Sequence, residues 1–195
     1  MPFFKEPPML RPVLCINRHP LAALLALMLV SAPGFANDTN VIIKGIVAGG
    51  ACEVINNDGS NGKSVDLGTV PAAVLGTSNA AWTWTNFSIG LDRCPTRMTR
   101  ATITFTGEVD PENALYYKNS AVKTDSSPDV AENVAIELAA QGSNTQLSNG
   151  NSLTTEVNSQ THGGEFLLKA RMISPAGRAT VGKVSGHVEF LIDYK

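Results

Sequence analysis

Apolar and polar residues alternate with a period of two along much of the chain after residue 36, and this alternation is typical of β-strands with one buried face. The clearest alternating segments are residues 87–92, 101–106, 134–138, 166–172 and 184–194. Turn signals separate them at 58–59, 61–62, 149–150, 163–164 and 174–177, where Gly follows Asp, Asn, Gly or a Ser-Pro-Ala sequence. Because helix signals are weak, the pattern predicts an all-β domain with immunoglobulin-like β-sandwich architecture.

The two ends of this region carry the most distinctive patterns. In residues 37–47, alternation places Thr39, Val41, Ile43, Gly45 and Val47 on one face of an extended strand. In the last segment it places Val184, Gly186, Val188, Phe190, Ile192 and Tyr194 on one face. The pattern alone leaves open that residues 37–47 are simply the first strand of their own sheet.

One longer apolar run, residues 21–30, follows a stretch containing Arg11 and Arg18 and precedes small residues at Gly34 and Ala36. The run is too short for a membrane helix, which needs about 20 residues. Residues 1–36 are therefore interpreted as a secretory signal peptide that is removed after Ala36. A buried core helix is the alternative, and translation from Met9 would shorten the basic region.

Composition and charge narrow the function classes. The chain is 43% hydrophobic and 16% charged, which is ordinary globular material. It has 15 Lys and Arg against 17 Asp and Glu, and like charges do not cluster. Nucleic acid is therefore an improbable partner, because its recognition requires a basic surface. No repeat or linker divides residues 37–195, so a single domain is expected.

Removal of the signal peptide would discard Cys15 and leave Cys52 and Cys94. In an exported chain, an even cysteine count predicts a disulfide, and two cysteines allow only one pairing. A metal site is the weaker alternative. Neither cysteine belongs to a C-x-x-C motif, and His162 and His187 are the only histidines after residue 36.

The sequence gives little support for catalysis. Neither histidine lies in a recognisable catalytic motif, and Asp110 and Glu112 flank Pro111 in what is predicted to be a solvated turn. Trp82 and Trp84 share one side of their segment and could stack on sugar rings, but such a pair more often belongs to the core or covers a sheet edge. We predict no enzyme and no cofactor or metal requirement.

Taken together, the mature chain resembles the type 1-like fimbrial subunits, or pilins, that the chaperone-usher pathway assembles. The resemblance rests on a β-rich leader before Cys52, a second cysteine at Cys94, Gly182 fourteenth from the end, and Tyr194 as the next-to-last residue. It spans essentially the whole chain after residue 36. Each feature is weak alone, but their order and spacing are specific.

The resemblance implies an incomplete immunoglobulin-like sandwich of six strands, in which a hydrophobic groove beside the C-terminal strand is completed by a donor strand from another subunit. A periplasmic chaperone is expected to cover residues 184–194 and to anchor the terminal carboxylate of Lys195. At the outer-membrane usher, residues 37–47 of the next subunit would replace it. The face with Thr39, Val41, Ile43, Gly45 and Val47 would then enter the neighbour's groove.

The implied organisation is a signal peptide (1–36), a donor-strand extension (37–47) and a pilin domain (48–195). The implied function is a non-catalytic structural subunit of an adhesive fimbria, exported through the periplasm to the bacterial surface. Any host receptor would be contacted only through the assembled fibre. The alternative is a self-complete, monomeric immunoglobulin-like module that binds sugars.

Overall fold

A computed structural model describes residues 40–46, 50, 52–55, 62–124, 129–143 and 145–195. The chain divides into two units, Met1–Phe35 and Ala36–Lys195, and every described residue belongs to the second. The predicted signal peptide therefore lies outside the described residues, as do Thr39 and Val47 of the predicted donor face. No helix in the described part of the chain is long and apolar enough to cross a membrane.

The described residues form β-strands and one short 3₁₀ helix, Ala72–Leu75. In chain order the strands are β1 (Asn40–Ile46), β2 (Glu53–Ile55), β3 (Gly62–Asp66), β4 (Ala80–Ala81), β5 (Thr85–Asp92), β6 (Arg100–Gly107), β7 (Tyr117–Lys118), β8 (Ala135–Ala140), β9 (Ser152–Glu156), β10 (Gly164–Ser174) and β11 (Ser185–Tyr194).

These strands make two sheets. The first, sheet A, has the order β3-β1-β11-β6-β9, and the second, sheet B, has the order β2-β5-β10-β8-β7 with β4 also paired to β10. Most neighbours are antiparallel, as expected for a sandwich. The exception in sheet A is the parallel pair of β1 and β11.

The core lies between the two sheets, where alternate residues of the long strands point inward. In β10 the inward residues Phe166, Leu168, Ala170 and Met172 are all buried, while Leu167 between them is 48% exposed. From sheet A, Phe105 of β6 and Phe190 of β11 also point into the core. The centroids of these two rings lie 6.5 Å apart. Burial of these rings stabilises the sheet packing.

The prediction of an all-β sandwich is confirmed, and the five alternating segments coincide closely with β5, β6, β8, β10 and β11. The described strands outnumber the expected six because several are only two to five residues long. Strands this short contain too few alternating positions to be recognised in the sequence. The place beside β11, expected to be open for another subunit, is occupied in this single chain by its own β1.

The predicted disulfide between Cys52 and Cys94 is present. Both cysteines are buried, at 1% and 3% exposure, and Met98 Sδ lies 3.3 Å from Cys52 Sγ. The bond joins the residue just before β2 to the segment between β5 and β6, with a sequence separation of 42. It therefore attaches the segment that follows β1 to the body of the sandwich.

Replacing Cys52 by Ser should lower the free energy of unfolding by about 4 kcal/mol, because the unfolded chain loses a long covalent loop. Urea unfolding of the mature chain measures this loss. Cys94→Ser is the matched control and should cost about the same, and the double variant should cost little more because the two residues share one bond. An unchanged urea midpoint would contradict a stabilising role for the bridge.

Candidate functional site

The candidate site is the groove between β3 and β11, which β1 fills. On one side β1 is parallel to β11, from Asn40 opposite Ser185 to Ile46 opposite Leu191. On the other side it is antiparallel to β3, from Asn40 opposite Asp66 to Lys44 opposite Gly62. Within sheet A, β3 and β11 therefore meet only through β1. Removal of β1 would leave two unpaired strand edges facing each other.

Side-chain burial within β1 is described for residues 41–43, and there it alternates between core and surface. Val41 is 2% exposed and Ile43 is fully buried, whereas Ile42 between them is 43% exposed. Two aliphatic side chains buried to this extent contribute about 1.5 to 3 kcal/mol each as an upper estimate. Of the predicted donor face, the structure describes the burial of Val41 and Ile43, and both point into the core.

The register pairs bulky residues with small ones across β1 and β11. Val41 lies opposite Gly186, and Gly45 lies opposite Phe190. Ile136 of sheet B occupies the space over Gly186, so closely that a Cβ atom there would displace its side chain. Gly186 thus allows the two sheets to approach near the beginning of β11.

The predicted inward face of β11 forms one wall of the groove. Val184, just before the strand, and Val188, Phe190 and Ile192 within it are at most 4% exposed. Tyr194 is only half-buried, but its hydroxyl oxygen is buried without a hydrogen-bond partner. This burial raises the pKa of the Tyr194 hydroxyl above its ordinary value.

The groove continues beyond Asn40. A cavity of about 90 Å³ lies there, between the residues that follow β3 and those that precede β11. Apolar side chains dominate its lining, among them Val70, Leu75, Val134, Met172 and Val184.

Gly182 lines the same cavity, and the backbone of Val130 and Ala131 lies against it. A side chain at position 182 would collide with that backbone. Steric contact therefore requires glycine at position 182, which is one of the features of the family resemblance.

The other end of β11 is held by backbone hydrogen bonds. Thr99 and Arg100 donate their backbone N–H groups to the Lys195 carbonyl oxygen at 2.9 Å and 3.0 Å. Lys195 in turn donates to the Arg100 carbonyl oxygen. Because Met98 contacts Cys52, Cys52 lies at the Lys195 end of β11, close to the place where the segment after β1 must arrive.

Other residues considered in the sequence do not form a reactive site. His187 lies on the outer face, 3.7 Å from Glu189, and His162 Nδ1 lies 3.2 Å from the Cys94 carbonyl oxygen. Among the described residues, no group of three or more His, Cys, Asp or Glu could hold a metal ion. The predicted turn is present with Pro111 and Glu112 exposed, but Asp110 is buried, and its carboxylate accepts the backbone N–H groups of Glu112 and Asn113.

The two tryptophans do not form an open stacking platform. Trp82 is half-buried and packs against the core. Trp84 is covered by cations: the Arg171 guanidinium lies 4.1 Å and the Lys169 ammonium 4.8 Å from its ring centroid. Arg171 also pairs with Glu137 at 2.6 Å. Trp84 is therefore occupied by interactions within the chain.

The architecture defines a disulfide-bonded β-sandwich in which an N-terminal strand fills the place between two strands of one sheet. The sequence profile of the fimbrial protein family matches residues 41–195. The chain belongs to the fimbrial protein family.

Curated relatives agree with this membership. Protein FimG of Escherichia coli (strain K12) is 29% identical over 180 residues, which cover 92% of this chain and 98% of FimG. The fimbrial-like protein YdeR of the same strain is 29% identical over 160 residues, covering 82% of this chain and 87% of YdeR.

Solved structures share the fold. The P pilus rod subunit PapA superposes with a TM-score of 0.57 at 14% identity, covering 74% of this chain and 99% of PapA. A chaperone-usher pilus structure gives a TM-score of 0.57 at 16% identity, covering 78% of this chain and 92% of that one. The chain is a structural pilus subunit of a cell-surface fimbrium, in a family whose members are not known as enzymes.

Replacing Ile43 by Ala should lower the free energy of unfolding of the monomer by about 2 to 5 kcal/mol, because a fully buried side chain leaves a cavity. Ile42→Ala is the matched control on the adjacent, outward position, and it should change stability by less than about 0.5 kcal/mol. Urea unfolding of both variants provides the comparison. Equal losses would show that Ile43 is not held in the groove.

Proposed function

We propose that this chain polymerises head to tail by donor-strand exchange, in which residues 37–47 of one subunit complete the groove of the next. The observation that carries the proposal is the position of β1. It is the first described strand of the chain, and it alone joins β3 to β11 in sheet A. A strand at one end of a chain can leave its sheet without unthreading the remaining strands.

The groove has the properties that strand addition requires. Two strand edges offer backbone hydrogen bonds, and the inner wall offers apolar positions at alternate residues. These two features supply the affinity and the specificity of β-augmentation. Because the donated strand and the accepting groove are different surfaces, each contact leaves a free strand and a free groove at the ends, and the assembly grows as an open filament.

Once β1 has left the groove, the open edges of β3 and β11 require protection before assembly. We propose that a periplasmic chaperone lends a strand to residues 184–194, anchors the terminal carboxylate of Lys195, and delivers the subunit to an outer-membrane usher. Likeness to a subunit in a chaperone-usher pilus supports this route at the level of the fold. Residues 1–36 would direct export to the periplasm as a cleaved signal peptide.

Deleting residues 37–47 should prevent a subunit from adding to the groove of its neighbour, because it has no strand to donate. Electron microscopy of surface fibres and co-purification with the chaperone would report the result: no incorporation in the donor direction, with the chaperone complex retained. Ile42→Ala is the control that keeps the inward face and should form normal fibres. Normal growth from the deleted chain would refute the donor role.

Replacing Phe190 by Asn should abolish capture by the chaperone, because a polar group would face the apolar wall of the groove. Leu191→Asn is the matched control. Leu191 is the next residue of β11 but is 49% exposed on the outer face, so its replacement should leave capture intact. Co-purification from periplasmic extracts compares the two. Undiminished chaperone binding by Phe190→Asn would contradict a groove-lining role.

The second candidate function is a self-complete module that stays monomeric. The insertion of β1 into its own sheet is the observation that favours it, whereas the covered ring of Trp84 gives no support to the sugar-binding role. Size-exclusion chromatography of the mature chain after incubation for hours to days distinguishes a polymerising subunit from a monomeric module. If species of higher mass appear with time, the chain exchanges strands. If it stays monomeric and binds no added peptide of residues 37–47, it is a self-complete module.

A further inference from the structure

We propose that Met98 is an oxidation site that covers the Cys52–Cys94 disulfide, and that its conversion to the sulfoxide loosens the end of the sandwich that this bond holds. The reagent is a two-electron oxygen donor such as hydrogen peroxide. A subunit of a cell-surface fimbrium works outside the reducing cytoplasm, where thiol reductants do not restore a reduced disulfide chemistry. The inference goes beyond the proposed polymerisation and does not depend on it.

The two methionines that follow residue 36 have different surroundings. They are Met98 and Met172. Met98 is half-buried, so part of its side chain meets solvent. Met172 lies on the inner face of β10 and is only 1% exposed. Because oxidation follows the access of the oxidant to the sulfur, Met98 should react first.

The thioether of Met98 packs against the disulfide. Its Sδ lies 3.3 Å from Cys52 Sγ, and Cys52 and Cys94 are both buried. A half-exposed side chain in contact with a buried sulfur covers that sulfur on one side. Met98 therefore separates the disulfide from reagents in the solvent.

The backbone around Met98 also holds the end of the chain. The Met98 N–H donates to the Pro95 carbonyl oxygen at 3.0 Å and closes a turn. The next two residues, Thr99 and Arg100, donate their N–H groups to the Lys195 carbonyl oxygen. A displacement of Met98 would therefore disturb both the disulfide contact and the attachment of the residue that follows β11.

Oxidation changes the polarity of this contact. Hydrogen peroxide transfers one oxygen atom to Met98 Sδ: the O–O bond breaks, an S–O bond forms, the sulfur loses two electrons, and the peroxide is reduced to water. The product is polar, whereas the thioether is apolar. Against the buried sulfur of Cys52, the new S–O group would lose hydration without gaining a hydrogen bond from it. The sulfoxide should therefore leave this contact and uncover the disulfide.

Matched leucine variants test the inference in the mature, disulfide-bonded chain. Met98→Leu removes the oxidisable sulfur at the disulfide, and Met172→Leu removes the buried one. Both replacements nearly conserve volume and should fold normally. The wild-type chain and both variants are treated with dilute hydrogen peroxide, and peptide mass spectrometry locates the added oxygen. In the folded wild-type chain, Met98 should be oxidised at least about ten-fold faster than Met172.

The second measurement is the rate at which dithiothreitol reduces the disulfide, together with the urea midpoint of unfolding. After peroxide treatment, the wild-type chain and Met172→Leu should lose the disulfide about ten-fold faster than their untreated forms, because burial of an unpaired polar group shifts the local equilibrium by about that factor. Their urea midpoints should fall. Met98→Leu should keep its reduction rate and its midpoint.

Three results would overturn the inference. Equal oxidation of Met98 and Met172 in the folded chain would show that Met98 is not selectively accessible. Oxidation of Met98 with no change in reduction rate or urea midpoint would show that it does not cover the disulfide. Equal acceleration in Met98→Leu and the wild-type chain would place the effect at another residue. If Met98→Leu does not fold, treated and untreated Met172→Leu, which contains Met98 alone, decide between the same outcomes.

Discussion

The structure depends on one strand that is paired on both edges. With β1 in place, sheet A is continuous from β3 to β9, and without it β3 is separated from β11. Its absence would be costly for two reasons, because unpaired backbone groups and the apolar inner wall would both meet water. Neither loss can be repaired by a side-chain rearrangement. A strand from some source is needed, and in this chain the source is its own N-terminal segment.

The disulfide fixes where the segment after β1 is attached to the domain. Cys52 lies at the Lys195 end of β11, and β1 runs toward that same end in parallel with β11. The same bond stabilises a domain in which β2 has only three residues. One disulfide thus stabilises the fold and holds the segment that follows β1 at one end of the sandwich.

The sequence predicts the long strands of this structure well and the short ones poorly. In β10 and β11, alternation over residues 166–172 and 184–194 defines both the element and its buried face. In β3, Gly62 belongs to the predicted turn at 61–62, and Val65 is the strand's only apolar side chain. The predicted turn at Pro111 is present, but the burial of Asp110 was not predicted, because a sequence pattern does not show that its carboxylate accepts nearby backbone N–H groups.

The sequence predicts only part of the groove's structure. A period-two pattern gives the inward face of residues 37–47, and Val41 and Ile43 are buried as that face requires. The pattern is unchanged when a strand is reversed, and it does not specify which chain supplies the neighbour. The parallel pairing with β11 therefore emerges only from the three-dimensional structure.

The strand direction in sheet A also has a mechanical consequence for a fibre built by the proposed exchange. Tension on a donated strand acts along its length, because both of its neighbours run alongside it, as β3 and β11 run alongside β1. The ladder bonds on both edges would then be sheared together and would not open one after another, as they do when a strand is peeled from its end. A flow that pulls on the fibre would have to break a whole row of bonds at once to separate adjoining subunits.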